Sequence, residues 1–584
     1  TRLAIIDLTA AADQPLIDEA AGLALTFNGE IYNYVELRAE LKALGHCFNS
    51  TGDTEVLLRA YQQWGVDCLP RLNGMFAFAL WDRRKRRLFL ARDRFGEKPL
   101  YVARSGREVV FASEMKAIQA VRPHLRQPNR RVVFRYIARG DLDLDQETFF
   151  EGIEALPASH YLLLDSDCRG EPVRYWEPAG VCVPTSTGEA IERFRELLFD
   201  SVRIRLRSDV PVGSSLSGGL DSSSIVAAIN AQKGSRVLHQ KTFSARFHSR
   251  AHDEGEYIRL VTDAVEAEPH DVWVEPDAFL EQFDRLQWHQ EEPIASSSPF
   301  AQWLVMGLAR EKNTTVLLDG QGADELLAGY DQAHGMFWAH WLRRGRVDRV
   351  GRELFSFSRR YHGIREPALF AAYYSLPGRM RDGLAELYYR SAQIVSPDLH
   401  EEFAPAHVDT IEPFPDRLRN ELVRWQMTTQ LPEFLRYADR NSMAFSREVR
   451  LPFLDHRLVE FCFGLPPDLL LSRAVTKLPL RRAMRGIVPD EILDRKDKLA
   501  YAPPQRRWVR GPLRPWLDSL LQGAERRHDV FMPASVAKLR EQLGFRGRDG
   551  LAWRVASTEA WYEALVDRPR APPVAAAERS RRSW

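Results

Sequence analysis

Several things that a 584-residue chain often carries are scarce here. The five cysteines, Cys47, Cys68, Cys168, Cys182 and Cys462, are odd in number and none stands in CxxC spacing. That argues against a disulfide framework or a zinc cage and fits a reducing, cytoplasmic setting. No apolar run approaches the roughly 18 residues of a membrane span, and no basic-then-apolar leader opens the chain. An excess of one charge is missing too: 81 Lys+Arg meet 80 Asp+Glu, for a formal net charge of +1. No overall field therefore recruits nucleic acid or an anionic membrane. These absences leave small molecules as the expected partners and leave open whether the chain forms a homodimer.

What is present divides the chain, whose length predicts two to four domains. Leu3 to Asp7 and Gly22 to Gly29 read as strands, since apolar residues run up to turn residues. Asn33 with Glu36 makes a capping-box start for a helix with Tyr34, Leu37, Leu41 and Leu44 on one face, ending at Gly45. A second helix takes Asp53 as its cap, carries the stripe Val56, Leu57, Ala60, Tyr61, Trp64, and stops at Gly65. "MFAFALWDRRKRRLFLARD" is two strands about a basic turn, and Pro99 to Ala112 continues the pattern. Residues 1–164 thus read as an α+β layer structure, and the polar stretch 165–188 as a linker. From 189 to 565 the rhythm becomes helix, strand, glycine loop, helix, strand, which implies a parallel sheet, with a mostly helical stretch after Tyr330. Residues 566–584 hold too few apolar side chains to pack and read as a disordered tail.

The glycine loop "SLSGGLDSSS", Ser215 to Ser224, follows the strand Val210 to Leu216 and opens a helix near Ser222. Bare backbone at Gly218 and Gly219, beside a helix N-terminus, is an anion site, and phosphate is its natural ligand. The loop matches neither GxxxxGK[ST] nor GxGxxG. Instead Ser217, Ser222 and Ser223 can donate to phosphate oxygens, and Asp221 can hold the Mg²⁺ that accompanies them.

SGGLDSS resembles the pyrophosphate loop of the ATP pyrophosphatase group. "VLLDGQGADELLAGY" (316–330), "LRYADRNSMAFSREVRLPFLDHRLVEF" (435–461) and "TKLPLRRAM" (476–484) resemble the corresponding blocks of glutamine-dependent asparagine synthetases. The resemblance implies an α/β ATP-pyrophosphatase domain with a largely helical C-terminal part. It implies ATP and Mg²⁺ as cofactors, and amidation of a carboxylate through an acyl-adenylate with release of AMP and pyrophosphate. L-aspartate is the default acceptor. By the same resemblance Leu216, Ser217, Gly218, Gly219, Asp221, Ser222, Ala245, Asp319 and Gly320 line the nucleotide site, Asp221 and Asp324 hold the metal, and Lys477 stabilises the leaving pyrophosphate. The bland alternatives are a helix cap for Asp324 and a solvated lysine for Lys477. Arg450 reads equally as a partner for a substrate carboxylate or as an internal ion pair with Glu448 or Asp455. One catalytic position departs from the pattern: Gln321 stands where the family has glutamate, and an amide can neither take a proton nor carry that charge. Another acceptor, such as a uronic acid of a surface polysaccharide, is the rival, and a catalytically silent nucleotide-binding scaffold is the alternative of a different class.

"RLAII", "NGEIYN" and "GDTEV" resemble the glutamine pocket of class II amidotransferases, which implies a four-layer αββα amino-terminal-nucleophile-hydrolase fold, truncated here. Arg2, Ile5, Ile6, Asn28, Gly29, Glu30 and Asp53 become the glutamine-binding set, with Arg2 on the α-carboxylate, Glu30 and Asp53 on the ammonium, and Asn28 and Gly29 at the oxyanion. Asn28 and Gly29 alone also suit a hairpin turn. The family's N-terminal cysteine and its "HRGPD" segment are absent, and the chain starts abruptly at Thr1. The expectation is a further segment of about fifty residues upstream, by domain size, without which glutamine is not hydrolysed; Thr1 as the nucleophile is the weaker alternative.

Overall fold

Alternation of side chains along one strand, β3 (Gly74–Asp82), shows how the first half is layered. Phe76, Phe78 and Leu80 join Leu25, Leu37, Val56 and Leu57 in one buried cluster, while Ala77 and Ala79 face Leu90, Leu100, Val102 and Leu162 in another. A period of two puts these sets on opposite faces of the sheet. That sheet is antiparallel, in the order β1 (Leu16–Asp18), β2 (Leu23–Ile31), β3, β4 (Arg87–Arg92), β8 (His160–Leu164), β9 (Pro172–Arg174). One face carries the helices Tyr34–Ala43 and Asp53–Trp64. The other carries a three-stranded sheet ordered β6 (Glu108–Ala112), β5 (Tyr101–Ser105), β7 (Glu154–Ala155). Along β5 the alternation repeats, with Val102 turned inward and Tyr101 and Ala103 packed with Met115, Ile118, Val132 and Val133 of two outer helices. The result is helix, sheet, sheet, helix.

The computed structural model describes residues 2–232, 240–361, 363–376, 380, 394–403, 413–496, 502–543 and 548–567. In the second half five strands pair in parallel, in the order β12 (Glu268–Trp273), β11 (Lys241–Arg246), β10 (Val212–Ser215), β13 (Val316–Leu318), β14 (Glu448–Arg450). Strand β14 escapes a pattern search because two of its three residues are charged. All three are buried, and Glu448 and Arg450 pair with each other at 2.8 Å. Beyond β13 the described residues are mainly helical.

Other local readings need correction. Leu3 to Asp7 forms no strand. Its polar groups are satisfied elsewhere: the Arg2 guanidinium donates to the Ile6 and Asp7 carbonyls, the Asp7 N–H to the Asp209 carboxylate, and the Asp209 N–H to the Ile5 carbonyl. Asn33 precedes its helix but does not cap it, because its amide reaches across to Arg71 and Asn73, and Glu36 is taken by Arg207. Asp53 is the first helical residue rather than the cap, with its carboxylate accepting from the Ile31 N–H. The stretch 165–188 is less a tether than an edge. It contains β9, and Trp176 then donates to Glu460 at 2.7 Å while the Val181 N–H meets the Glu460 carbonyl. Part of the expected strand Val237 to Phe243 and residues 568–584 of the expected tail lie outside the described residues.

One apolar core runs through both halves, from Phe95, Tyr101 and Phe149 to Phe300, Leu318 and Trp561. Phe149 and Phe150 each stand 5.3 Å from the Trp561 ring, centroid to centroid.

Candidate active sites

Strand β10 ends at Ser215, and the chain is pinned as it leaves the sheet. The Leu216 N–H donates to the Phe243 carbonyl at 2.9 Å, and Ser244 Oγ donates to the Leu216 carbonyl at 2.6 Å. Gly218 then turns with φ +79°, a left-handed conformation that side chains disfavour, and the helix Leu220–Ala231 begins two residues before Ser222. The loop's donors are engaged only loosely. The Ser217 N–H reaches Ser222 Oγ at 3.2 Å, the Gly219 N–H reaches Ser217 Oγ at 3.3 Å, and the two hydroxyls stand 3.1 Å apart. Anionic oxygens make shorter, stronger bonds to such N–H groups.

Facing the loop, Lys477 Nζ lies 2.5 Å from Asp221 Oδ2 and 2.8 Å from Asp324 Oδ1. Lys477 is neither solvated nor in an ordinary conformation: it is 6% exposed with φ +54°. Burial opposes its charge, but the two carboxylates outweigh that and hold its pKa above the ordinary value. Nor is Asp324 a cap, because Gly322 takes that place for Ala323–Leu326. A lysine from a distant segment has brought two carboxylates from separate strand ends to one point. Gln321 enters the same space, and its Oε1 is buried without a hydrogen-bond partner among the described residues.

These groups surround a cavity of about 560 Å³, lined by Leu216, Ser217, Gly219, Asp221, Ser222, Asp319, Gly320, Gln321, Asp324 and Lys477. Glu254, Glu325, Tyr330, Phe434, Tyr437 and Arg495 are also in its wall. That volume suits a nucleotide-sized ligand. Burial pushes the Asp319 carboxyl above its ordinary range. Three predicted residues stand apart: Ala245, inside β11 and 4% exposed, and Ser223, fully buried, are not among the lining residues, and Gly218 offers its carbonyl to Arg495 at 3.0 Å. Arg450 does not face this cavity. It is fully buried between the domains, donating to Glu448, to the Arg205 and Arg207 carbonyls and toward Glu30 at 3.4 Å. The ion-pair reading with Glu448 therefore holds, and Asp455 pairs instead with Arg205 and Arg457.

A second pocket, about 230 Å³, gathers Arg2, Ile5, Ile6, Asn28, Gly29, Glu30 and Asp53. Asn28 and Gly29 lie inside β2, opposite Ala77 and Phe76, and not in a turn. The Asn28 amide donates to Ser113 Oγ at 3.2 Å. Burial pushes the Asp53 carboxyl up to about 6, and burial together with the Asp53 charge raises Glu30 well above its ordinary range. Two acids held this way gain from a cationic ligand.

Part of the remaining wall comes from the other half of the chain. Asp439, Arg440 and Met443, on the helix Leu431–Ala444, form part of its wall with Glu448 and Lys98. Lys98 Nζ meets Asp439 at 3.2 Å, and Arg440 donates to the Ser113 carbonyl at 2.8 Å while pairing with Glu291 at 2.6 Å. Phe434 and Tyr437 of the same helix line the larger cavity. None of these roles is visible in the sequence of this segment. Their i, i+3 and i, i+4 spacing shows two faces, but nothing local says what each face meets.

A layered amidotransferase sandwich joined to a parallel-sheet domain with a glycine loop is the build of a glutamine-dependent carbon–nitrogen ligase. The asparagine synthase family model matches residues 193–563, and a glutamine amidotransferase domain model matches residues 1–176. The chain is 30% identical to asparagine synthetase [glutamine-hydrolyzing] 1 of Bacillus subtilis, over 98% of this chain and 90% of that one. It is 32% identical to asparagine synthetase [glutamine-hydrolyzing] 3 of the same organism over 85% and 78%, and 28% identical to amidase chry2 of Gibberella zeae over 97% and 90%. The chain belongs to the asparagine synthase family.

Proposed function

We propose that the chain amidates L-aspartate to L-asparagine at the expense of ATP, with glutamine or free ammonia as nitrogen donor. Residues 1–164 form the glutamine-handling domain and 189–565 the synthetase. The observation that carries this reading is the convergence of Asp221 and Asp324 on buried Lys477 beneath the glycine loop. Attack of a carboxylate on the α-phosphorus builds charge on the departing pyrophosphate. On this reading the loop amides of Ser217 and Gly219, the hydroxyl of Ser222 and the Lys477 ammonium receive it.

The same two carboxylates fit a magnesium ion, since they already hold one positive charge between them. Among the described residues no three His, Cys, Asp or Glu side chains gather as a metal cage, so the phosphate oxygens and water would complete the oxygen shell. Such an ion would supply further charge neutralisation at the phosphates. In the smaller pocket Glu30 and Asp53 take the glutamine ammonium, Arg2 its carboxylate, and Asn28 with Gly29 the amide oxygen. ATP and glutamine as substrates fit a cytoplasmic enzyme. No helix of the described residues is long and apolar enough to cross a membrane.

Gln321 favours a second reading, in which the acceptor is a different carboxylate. Its partnerless Oε1 brings an uncharged acceptor group, and no negative charge, to this point of the cavity. Incubation with Mg-ATP, ammonium chloride and a panel of carboxylates, following pyrophosphate, separates the two. Release that requires L-aspartate supports the first, and release only with another carboxylate supports the second. No release with any acceptor, together with no ATP binding, removes both.

A further inference from the structure

Beneath the glycine loop lies a charged pair that no role above absorbs. Arg495 is 7% exposed or less, and its Nη1 donates both to the Gly218 carbonyl at 3.0 Å and to Glu254 Oε1 at 2.6 Å. Its guanidinium lies 3.9 Å over the Tyr257 ring. Glu254, also buried, precedes the helix Gly255–Val265. Gly218 is seated against the start of that helix: a Cβ on it would stand 3.0 Å from Tyr257 Cβ and 3.2 Å from the Glu254 carbonyl. From behind, Arg360 donates to the Arg495 carbonyl at 3.2 Å.

We propose that Arg495, held by Glu254, is a positioning residue that clamps the Gly218 peptide so that the loop amides face the phosphates. The physical reason is the peptide plane. The Gly218 carbonyl and the Gly219 N–H belong to one planar unit and point in opposite directions. Fixing the carbonyl on Arg495 therefore aims the N–H the other way, toward Ser217 Oγ and the cavity. A glycine at positive φ has no side chain to hold that orientation, so an outside donor must do so. Glu254 matters as much as the arginine. It pairs with the guanidinium and so keeps the arginine on the carbonyl, at the cavity wall, instead of turning it to the phosphates as a direct ligand.

This inference rests on the reading that the cavity binds ATP, and calorimetric titration of the full chain separates the two. The probes are magnesium with a nonhydrolysable ATP analogue, magnesium pyrophosphate, and AMP. Absence of analogue and pyrophosphate binding in the parent protein would remove the reading and the clamp together. With a binding parent, Arg495→Met is expected to weaken the ATP analogue and pyrophosphate about 10- to 30-fold while leaving AMP within twofold. Arg495→Lys should recover part of the loss, and Glu254→Gln should weaken both phosphate ligands about fivefold. The double variant should be no worse than Arg495→Met alone. Equal losses for AMP, parent-like binding in Arg495→Met, additive losses in the double variant, or tighter analogue binding in Glu254→Gln would each overturn the clamp. If Arg495→Met fails to fold, the Arg495→Lys and Glu254→Gln pair decides by the same criteria.

Discussion

The two cavities solve opposite problems with the same kinds of residue. In the larger one, opposite charges meet each other: Lys477 lies between Asp221 and Asp324, and Arg495 sits against Glu254. In the smaller one, like charges are crowded, with Glu30 and Asp53 both buried and both raised in pKa. Self-paired charge suits a site that must accept a polyanion and its metal and then release a product of like charge. Crowded acid suits a site that waits for one small cation. The larger cavity draws its charged set from its own domain, whereas the smaller borrows Asp439 and Arg440 from its neighbour.

The comparison is most sharply broken at the triad. Asp221→Ala should reduce ammonia-dependent pyrophosphate release on the order of 10³-fold, since it removes a charge that positions the phosphates, and glutamine binding should be unaffected. Wild-type release would refute the triad's assignment. Gly329→Ala tests the same point by steric means, because its Cβ would fall 1.9 Å from Asp324 Oδ1 and 2.3 Å from Lys477 Cε. Release should drop about 100-fold, by displacement of groups that must stay pre-aimed. In the smaller pocket Glu30→Gln should weaken glutamine roughly 10- to 100-fold in a binding titration, the worth of one charged contact. Pyrophosphate release driven by ammonium chloride should stay at the parent level.

Acidity tests the crowding itself. The glutamine ammonium prefers ionised carboxylates, and Asp53, whose pKa is about 6, loses its charge below that value, so affinity should fall up to about tenfold per unit below pH 6. Stability runs the other way. With the folded pKa above the unfolded value of 3.8, the contribution of this group is complete below pH 3.8 and is lost as pH rises to about 6. Asp53→Asn should flatten both profiles, and a binding curve that keeps its inflection would exclude Asp53 as the group responsible. The smallest effect is expected from Trp176→Phe, which loses the 2.7 Å bond to Glu460. Denaturant titration should show a loss of about 1 kcal/mol, with both sites working normally.

How much of this could be read from the chain follows from distance along it. The glycine loop was legible because its hydroxyls, glycines and acid are consecutive. The strands β2 to β6 were legible from alternation and turn residues. Leu3 to Asp7 has the same alternation but finds no neighbouring strand, because Arg2 and Asp209 take its backbone groups. Strand β14 was hidden by charges that pair with each other, Arg450 also reaching Glu30 of the other domain. Lys477, 256 positions from Asp221, is reached through family resemblance, and its burial follows only from the fold. Nothing in the sequence announces that Arg440 supports Ser113, since that contact spans 327 positions.

The packing of Phe149, edge-on, and Phe150, tilted, against Trp561 has a consequence for how the two halves can be separated. The two halves share one apolar core, so parting them would bare apolar surface on each. A gene exchange that replaced one half alone would strand bare aromatic rings on the other, and a nick in the backbone near residue 180 should leave two fragments that still migrate together.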